Sequence, residues 1–510
     1  MSPRITTALL ALAILLGGVL LYARALDRVP PYLIHDEVQG ALHAQAIAST
    51  GRGLDGRWLP MYFSEPGFAA GRDPIMIYVT AIGLQALPFT DAGVRTPTAL
   101  VAVLNLLLMF FAARAIFGST WAGLLAAVLL ALTPIHFIRG RLLLSPLYSL
   151  PFMLAWLWTL RRFEEQPSTR RFITACVWLV VAMYSYLGAV VMVPLYLLMT
   201  MGVAAKSLRF RAAVLAAAVC LVCLLPMAAW YLANPDRNAQ IVGAYQLAGA
   251  RSISDVISDR IGLYWQFFDP SYLFISGDAS LVNSTRTSGL FPWAFAALLP
   301  VGLIAMIRSR QPIAWVIAAG FLTAPLAAVI SGGIEMNRVM FVIPFAVLTA
   351  TGGAVSLAGR GALSRGIAVA LVALVAVQFA AFHRHYMSDA YRAGAATWFS
   401  GNAREALREL IARAGSGPIY ISDEIEWVQG LWRFYAIEAN RLELLDRTIF
   451  FTDPPAIAAA GSMLICAADS PHCAATIASG AWRDVVRIPA LGGHRTFVIL
   501  QRGGTNDNSN

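Results

Sequence analysis

Charge is scarce in this chain of 510 residues. Only 13% of them are Asp, Glu, Lys or Arg, against about 25% in an ordinary soluble domain. Hydrophobic residues make up 58% and the mean hydropathy is +0.65. A soluble globular protein is excluded, and lipid must serve as much of the solvent. The net charge of +10 does not indicate nucleic acid, because the arginines sit between apolar runs and build no basic domain. Internal repeats are lacking. No phosphate-cradling loop of the G-x-x-x-x-G-K-[ST] type occurs. Cysteine is also sparse, with five residues. Cys176, Cys220 and Cys223 fall in apolar runs and read as core residues. Cys466 and Cys473 lie in the polar C-terminal part and are candidates for a disulfide in an oxidising compartment.

Apolar runs of about 17 to 21 residues are present instead, enough to cross a hydrocarbon core about 30 Å thick. In lipid the backbone must satisfy its own hydrogen bonds, so these runs are helices. About eleven transmembrane helices are expected: near 6–25, 95–113, 121–138, 145–160, two within 172–205, 212–232, 291–307, 312–330, 339–358 and 366–382. The first has no small-residue cleavage site and reads as a retained anchor. The run Pro74 to Leu87 is short for a span and is expected to be re-entrant or interfacial. Tyr184, Ser185 and Tyr186 break the fifth helix from the sixth and read as an aromatic belt.

Arg114, Arg161, Arg162, Arg170, Arg171, Lys206, Arg209, Arg211, Arg308, Arg310, Arg360 and Arg365 fall in alternate short loops. Placed in the cytoplasm, they put the N-terminus inside. Both long polar loops, 27–94 and 233–290, and the C-terminal part then lie outside. The expected organisation is an all-α polytopic membrane domain over 1–382, followed by a small extracytoplasmic α/β domain over 383–502. A helix is expected from Ala403 to Ala414, with strands at Pro418–Ser422, Ser462–Cys466 and Thr496–Leu500. The tail 503–510 is polar and expected to be disordered.

The strongest local signal is the pair Asp36–Glu37 after His35, directly beyond the first helix. Adjacent carboxylates at a membrane surface are costly unless solvated, paired or used. The following residues read as a helix, which places Asp36 near its N-terminus. Asp36, Gln39 and His43 then share a face. Asp36 and His43 are the candidates for a divalent metal, with no third ligand evident; a metal is therefore possible, not required.

At this point the sequence resembles a known family. Pro30, Pro31, His35, Asp36 and Glu37 come first, then Gly51, Trp58, Pro60, Asp73, Pro74, Tyr78, Val94, Arg95 and Pro97. Together they resemble the first external loop of GT-C glycosyltransferases of the protein O-mannosyltransferase-related superfamily. Lipid A aminoarabinose transferases and rhizobial galacturonosyltransferases are members of it. Asp269, Pro270, Tyr272, Phe274, Gly277, Asp278, Arg286 and Gly289 continue the match, as do Glu335, Asn337, Arg338 and Pro344. The resemblance covers about residues 5 to 400.

It implies an inverting membrane glycosyltransferase of the bacterial inner membrane. The sugar would pass from a polyprenyl-phosphate donor to an acceptor hydroxyl on a lipid, glycan or protein. By resemblance Asp36 is the base and Glu37 its support. The leaving phosphate needs fixed cations, and Arg suits phosphate geometry. Arg338, Arg141 and Arg286 are the candidates. Arg139 and Arg72 are further candidates on the outside face; for Arg139, directly before Gly140, the competing reading of a snorkelling interfacial residue weighs heaviest. His35, Glu65, Arg72, Asp73, Asp269, Asp278 and Glu335 are candidate supports. Trp265, Phe267, Phe268 and Tyr272 are candidates for a lipid or sugar groove. The stretch Arg139 to Pro146 lacks the carboxylate often found there in relatives, which argues against a metal held between two acidic loops unless Asp269 or Asp278 replaces it. Two rival readings remain, a lipid-linked glycan ligase or polymerase and a transporter. The collection of charges at helix ends disfavours the transporter.

Overall fold

The structure is a computed structural model, which describes residues 3–65, 68–236, 239, 252–453, 458–490 and 495–503. The tail 504–510 lies outside the described residues.

Helix α1 (Pro3–Tyr22) leads through an irregular turn to α2 (His35–Thr50). A short hairpin, β1 (Phe63–Glu65) and β2 (Phe68–Arg72), precedes α3 (Pro74–Gly83). The bundle continues with α4 (Asp91–Phe117), α5 (Thr120–Ala131), α6 (Pro134–Arg139), α7 (Leu150–Glu165), α8 (Thr169–Ala182), α9 (Gly188–Ala204) and α10 (Phe210–Ala233). After α11 (Ile253–Phe267) come α12 (Ala294–Arg308), α13 (Pro312–Thr323), α14 (Leu326–Ser331), α15 (Val342–Ala358) and α16 (Ala362–Tyr386).

Five described helical stretches are long and apolar enough on their own to cross a membrane: Ile5–Tyr22, Asp91–Phe117, Phe210–Ala233, Pro312–Ser331 and Ala362–Tyr386. The other expected spans are shorter or broken. The run near 121–138 divides into α5 and α6 because Pro134 cannot donate the hydrogen bond that would continue α5. The run from Ser145 opens as a 3₁₀ turn, Ser145–Ser149, before α7.

Leu20 is 75% exposed, Leu221 64% and Val369 65%. In water such ridges would aggregate; here they are the lipid face. The chain is a multi-pass membrane protein. The centre is α15, whose residues from Val342 to Leu348 are buried on every side. It lies against α12 so closely that a Cβ on Gly302 would sit 1.8 Å from the Thr349 carbonyl. Glycine lets the two backbones approach, as in membrane helix pairs generally.

Helix α11 was not expected within the second polar loop. Ile253, Ile257, Ile261 and Trp265 form an exposed apolar stripe at every fourth position. The Arg260 guanidinium donates to the Val329 carbonyl, and the Tyr264 hydroxyl to Leu322 at 3.0 Å. A helix tied to the bundle end with an apolar side left open suits the membrane surface.

The C-terminal part begins with α17 (Asp389–Ala395) and α18 (Ala403–Arg413). Then come β3 (Ile419–Ser422), α19 (Val428–Glu438), β4 (Thr448–Phe451), β5 (Met463–Ala467), α20 (Pro471–Ala478), β6 (Trp482–Ile488) and β7 (Phe497–Arg502). The strand order is β4-β3-β5-β7-β6, parallel among the first three and antiparallel at β7. Cys466 and Cys473 form a disulfide between β5 and α20. The opposite face of the sheet packs on α18 and α19 and shares one apolar core with α2 and α3, through Val38, Leu42, Ile77, Leu431 and Trp432. The α/β unit is thus fused to the first loop. Arg404 reinforces the seam: it pairs with Asp91 at 2.9 Å, donates to the Asp27 carbonyl and covers the Tyr32 ring.

Candidate active site at the first loop and the bundle end

The segment between α1 and α2 has almost no regular hydrogen bonding of its own, so its carbonyls need donors. Two buried arginines supply them. Arg95 of α4 donates to the carbonyls of Leu26, Pro30 and Tyr32. Its remaining N–H groups meet both oxygens of Glu37 at 2.8 Å. Arg141 donates to the carbonyls of Tyr22, Arg24, Ala25 and Val29, at 2.6–3.1 Å. Glu37 also accepts from the backbone of Ile34 and of Leu143. Both Glu37 and Arg95 are fully buried. These contacts set the first turn of α2 in one orientation.

Asp36 is half-buried in that turn and lines a cleft of about 540 Å³ between the bundle end and the α/β unit. The unpaired N–H groups of a helix start favour its charge. Among the described residues, the buried Arg139 feels the charges of both Asp278 and Asp36. Arg139 ends α6 and is fully buried. One of its nitrogens donates to Asn283 at 2.5 Å, and Asn283 donates in turn to Asp278 at 3.2 Å. Asp278 also accepts from Ser280 and from the backbone of Met336. This chain joins α6, the second loop and the turn before α15.

Nε and Nη1 of Arg139 have no hydrogen-bond partner among the described residues, and neither has the buried Tyr272 hydroxyl. Burial, with the Asp278 carboxylate, pushes that hydroxyl well above the usual phenol range against the opposing effect of Arg139. It therefore stays a proton donor at neutral pH. Unpaired buried donors are costly. Two on one cation, with a hydroxyl as the third, fit an anion. Gly140 makes the arrangement possible, since a Cβ there would lie 2.7 Å from Tyr22 and from Ala102.

Residues 70–230 match the family described as dolichyl-phosphate-mannose-protein mannosyltransferase. No curated protein matches the chain in sequence. Among solved structures, ArnT from Cupriavidus metallidurans bound to undecaprenyl phosphate matches with a TM-score of 0.58 at 14% identity, over 97% of each chain. Its apo state matches with a TM-score of 0.58 at 15% identity, over 97% of each chain. The apo oligosaccharyltransferase of Archaeoglobus fulgidus gives a TM-score of 0.46 at 14% identity, over 87% of this chain and 64% of that one.

The chain has the GT-C fold.

Within this GT-C fold the residues singled out from sequence scatter. Asp36 and His35 line the cleft. Glu37 does not; it is sealed against Arg95 and can only position its neighbour. Arg141 is committed to loop carbonyls and has no reach to a lipid headgroup, because its terminal nitrogens already hold four of them. Arg286 lies over the Trp398 ring at 5.0 Å, with its Nε on the Ala279 carbonyl. It belongs to the cleft rim. Arg338 pairs with Glu335 at 3.3 Å and does not line the Asp36 cleft. Its turn reaches the Arg139 network through Met336.

Asp269 only caps the backbone of Ser271. Asp73 begins α3 near Tyr62 and Tyr231, which packs with Trp230. The side chains of Glu65 and Arg72 lie outside the described residues. Of the groove candidates, Trp265 is exposed on α11, whereas Phe267, Phe268 and Tyr272 pack together.

Among the described residues no three His, Cys, Asp or Glu side chains converge on a metal position. His43 packs on Phe63 inside the fold. Seven residues of helix separate it from Asp36, about 10 Å along the axis, too far for one ion. These residues do not fit a metal site.

Proposed function

We propose that the protein is an inverting glycosyltransferase that moves a sugar from a polyprenyl phosphate to an acceptor hydroxyl at the outer face of the bacterial cytoplasmic membrane. The arginine pattern of the loops supports that orientation, with the α/β unit outside. The observation that carries the reading is Asp36 on the cleft wall with its charge acting on the buried Arg139, which has two unused N–H groups. The solved relative bound to undecaprenyl phosphate supports the donor class.

In this reading Asp36 accepts the proton of the acceptor hydroxyl as its oxygen attacks the anomeric carbon. The bond from that carbon to the phosphate oxygen breaks, and its electron pair leaves with the phosphate. Arg139 and the Tyr272 hydroxyl meet the growing charge with fixed donors, where low surrounding polarity strengthens them. Glu37, Arg95 and Arg141 hold the loop that aims Asp36.

Arg139→Gln is expected to raise the dissociation constant for undecaprenyl phosphate about 10- to 100-fold, measured on purified full-length protein by thermophoresis. An unchanged constant would remove Arg139 from the donor site. A chelator is expected to leave transfer from the labelled lipid-linked sugar unchanged. Loss restored by a divalent cation would show that a metal is held by residues other than those named.

A further inference from the structure

The cleft beside Asp36 has a second wall that the donor chemistry does not use. Resting on the proposed transferase reading, we infer that this wall binds the acceptor and that the acceptor is a neutral saccharide presenting a ring hydroxyl to Asp36.

The wall is built by two tryptophans. Trp427 precedes α19 and stacks on His35, with ring centroids 3.9 Å apart and planes at 26°. His35 is the residue next to Asp36, so the indole is tied directly to the first turn of α2. Trp427 is nevertheless 62% exposed. Its φ is 58°, in the left-handed region that a large L-residue enters only at a cost. Strain of this kind persists where the surroundings impose it. Here α19 is seated on α2, and a Cβ on Gly430 would come within 2.8 Å of the Gln39 amide nitrogen.

Trp398 is the second platform. It is 43% exposed and lies under the Arg286 guanidinium. Two residues after Trp398, Ser400 lines the cleft with a buried hydroxyl that has no hydrogen-bond partner among the described residues.

These features select among acceptors. An indole face suits the C–H face of a sugar ring, and short polar groups beside it suit hydroxyls. The cleft disfavours a polyanion. Asp36 and Glu426 line it, Arg495 on its wall is occupied by Asp469 and by the Glu424 carbonyl, and Arg286 at the rim is laid over Trp398 with its Nε on the Ala279 carbonyl. An acyl chain would leave Asp36, Ser400, Asn402 and Glu426 on the cleft lining without hydrogen-bond partners from the ligand.

The test uses the full-length protein in nanodiscs. Surface saccharides released from the producing cells by mild acid are offered as probe, and binding is read by saturation-transfer NMR. Undecaprenyl phosphate binding is measured on the same samples. The saccharides are expected to bind the wild type and to lose about tenfold in affinity in Trp427→Asn, which removes the ring but suits the left-handed backbone. Trp427→Phe should keep most of the affinity, and Trp398→Ala should weaken it. Undecaprenyl phosphate binding should be the same in all four proteins. Absence of saccharide binding to the wild type, or binding that survives both Trp427→Asn and Trp398→Ala, overturns the assignment. So does preferential binding of a peptide or lipid fraction at this wall. Failure of undecaprenyl phosphate to bind the wild type would instead overturn the donor reading, leaving saccharide binding to be judged on its own.

Discussion

Asp36→Asn is expected to lower the rate of sugar transfer about 10²- to 10⁴-fold while leaving the fold intact. The carboxylate is half-buried at the start of α2. Asparagine keeps its shape and removes its basicity. Affinity for undecaprenyl phosphate should change by less than about threefold, because Asp36 stands on the acceptor side of Arg139. The check is a transfer assay with a labelled polyprenyl-phosphate sugar, run beside a donor-binding titration. Comparable losses in both would mean that Asp36 holds the donor. Transfer at the wild-type rate would mean that the proton goes elsewhere.

Glu37→Ala is the second large effect, and it acts through stability. The substitution leaves the Arg95 guanidinium fully buried without its counter-charge and frees the backbone N–H groups of Ile34 and Leu143. Breaking one side of a buried pair costs about 3–5 kcal/mol. The melting temperature in detergent should fall accordingly, and transfer should fall with it as Asp36 loses its orientation. Replacing both partners by apolar residues, Glu37→Leu with Arg95→Met, should recover part of the stability. It should recover little of the transfer, since the carbonyls of Leu26, Pro30 and Tyr32 would still lack their donor. A Glu37→Ala protein as stable as the wild type would contradict the clamp.

These two neighbours show how far the sequence can be read. A carboxylate pair at the end of an apolar run stands out because so few charges occur nearby, and it marked the site. Which member faces the cleft depended on Arg95, 58 positions away in sequence from Glu37. Arg139 and Arg141 were harder. Both flank Gly140 and look alike in sequence, yet Arg141 gives both terminal nitrogens to loop carbonyls and keeps only its Nε, whereas Arg139 keeps two N–H-bearing nitrogens. The difference comes from Asn283, 144 residues distant from Arg139. The apolar runs located helices of the bundle, five of the described ones long and apolar enough to span on their own, since lipid imposes length and composition on them. Helix α11 escaped notice because its apolar stripe takes one residue in four, too few to register as a span. Trp427 gave no local signal; its meaning arises from the approach of α19 to α2.

The most direct test of the account is a structure of the protein with undecaprenyl phosphate bound. A phosphate oxygen is expected about 2.7–2.9 Å from Nε or Nη1 of Arg139, with the Tyr272 hydroxyl as a further donor and the Asp36 carboxylate facing the same space. A phosphate seated on Arg338 or Arg286, with Arg139 untouched, would contradict it.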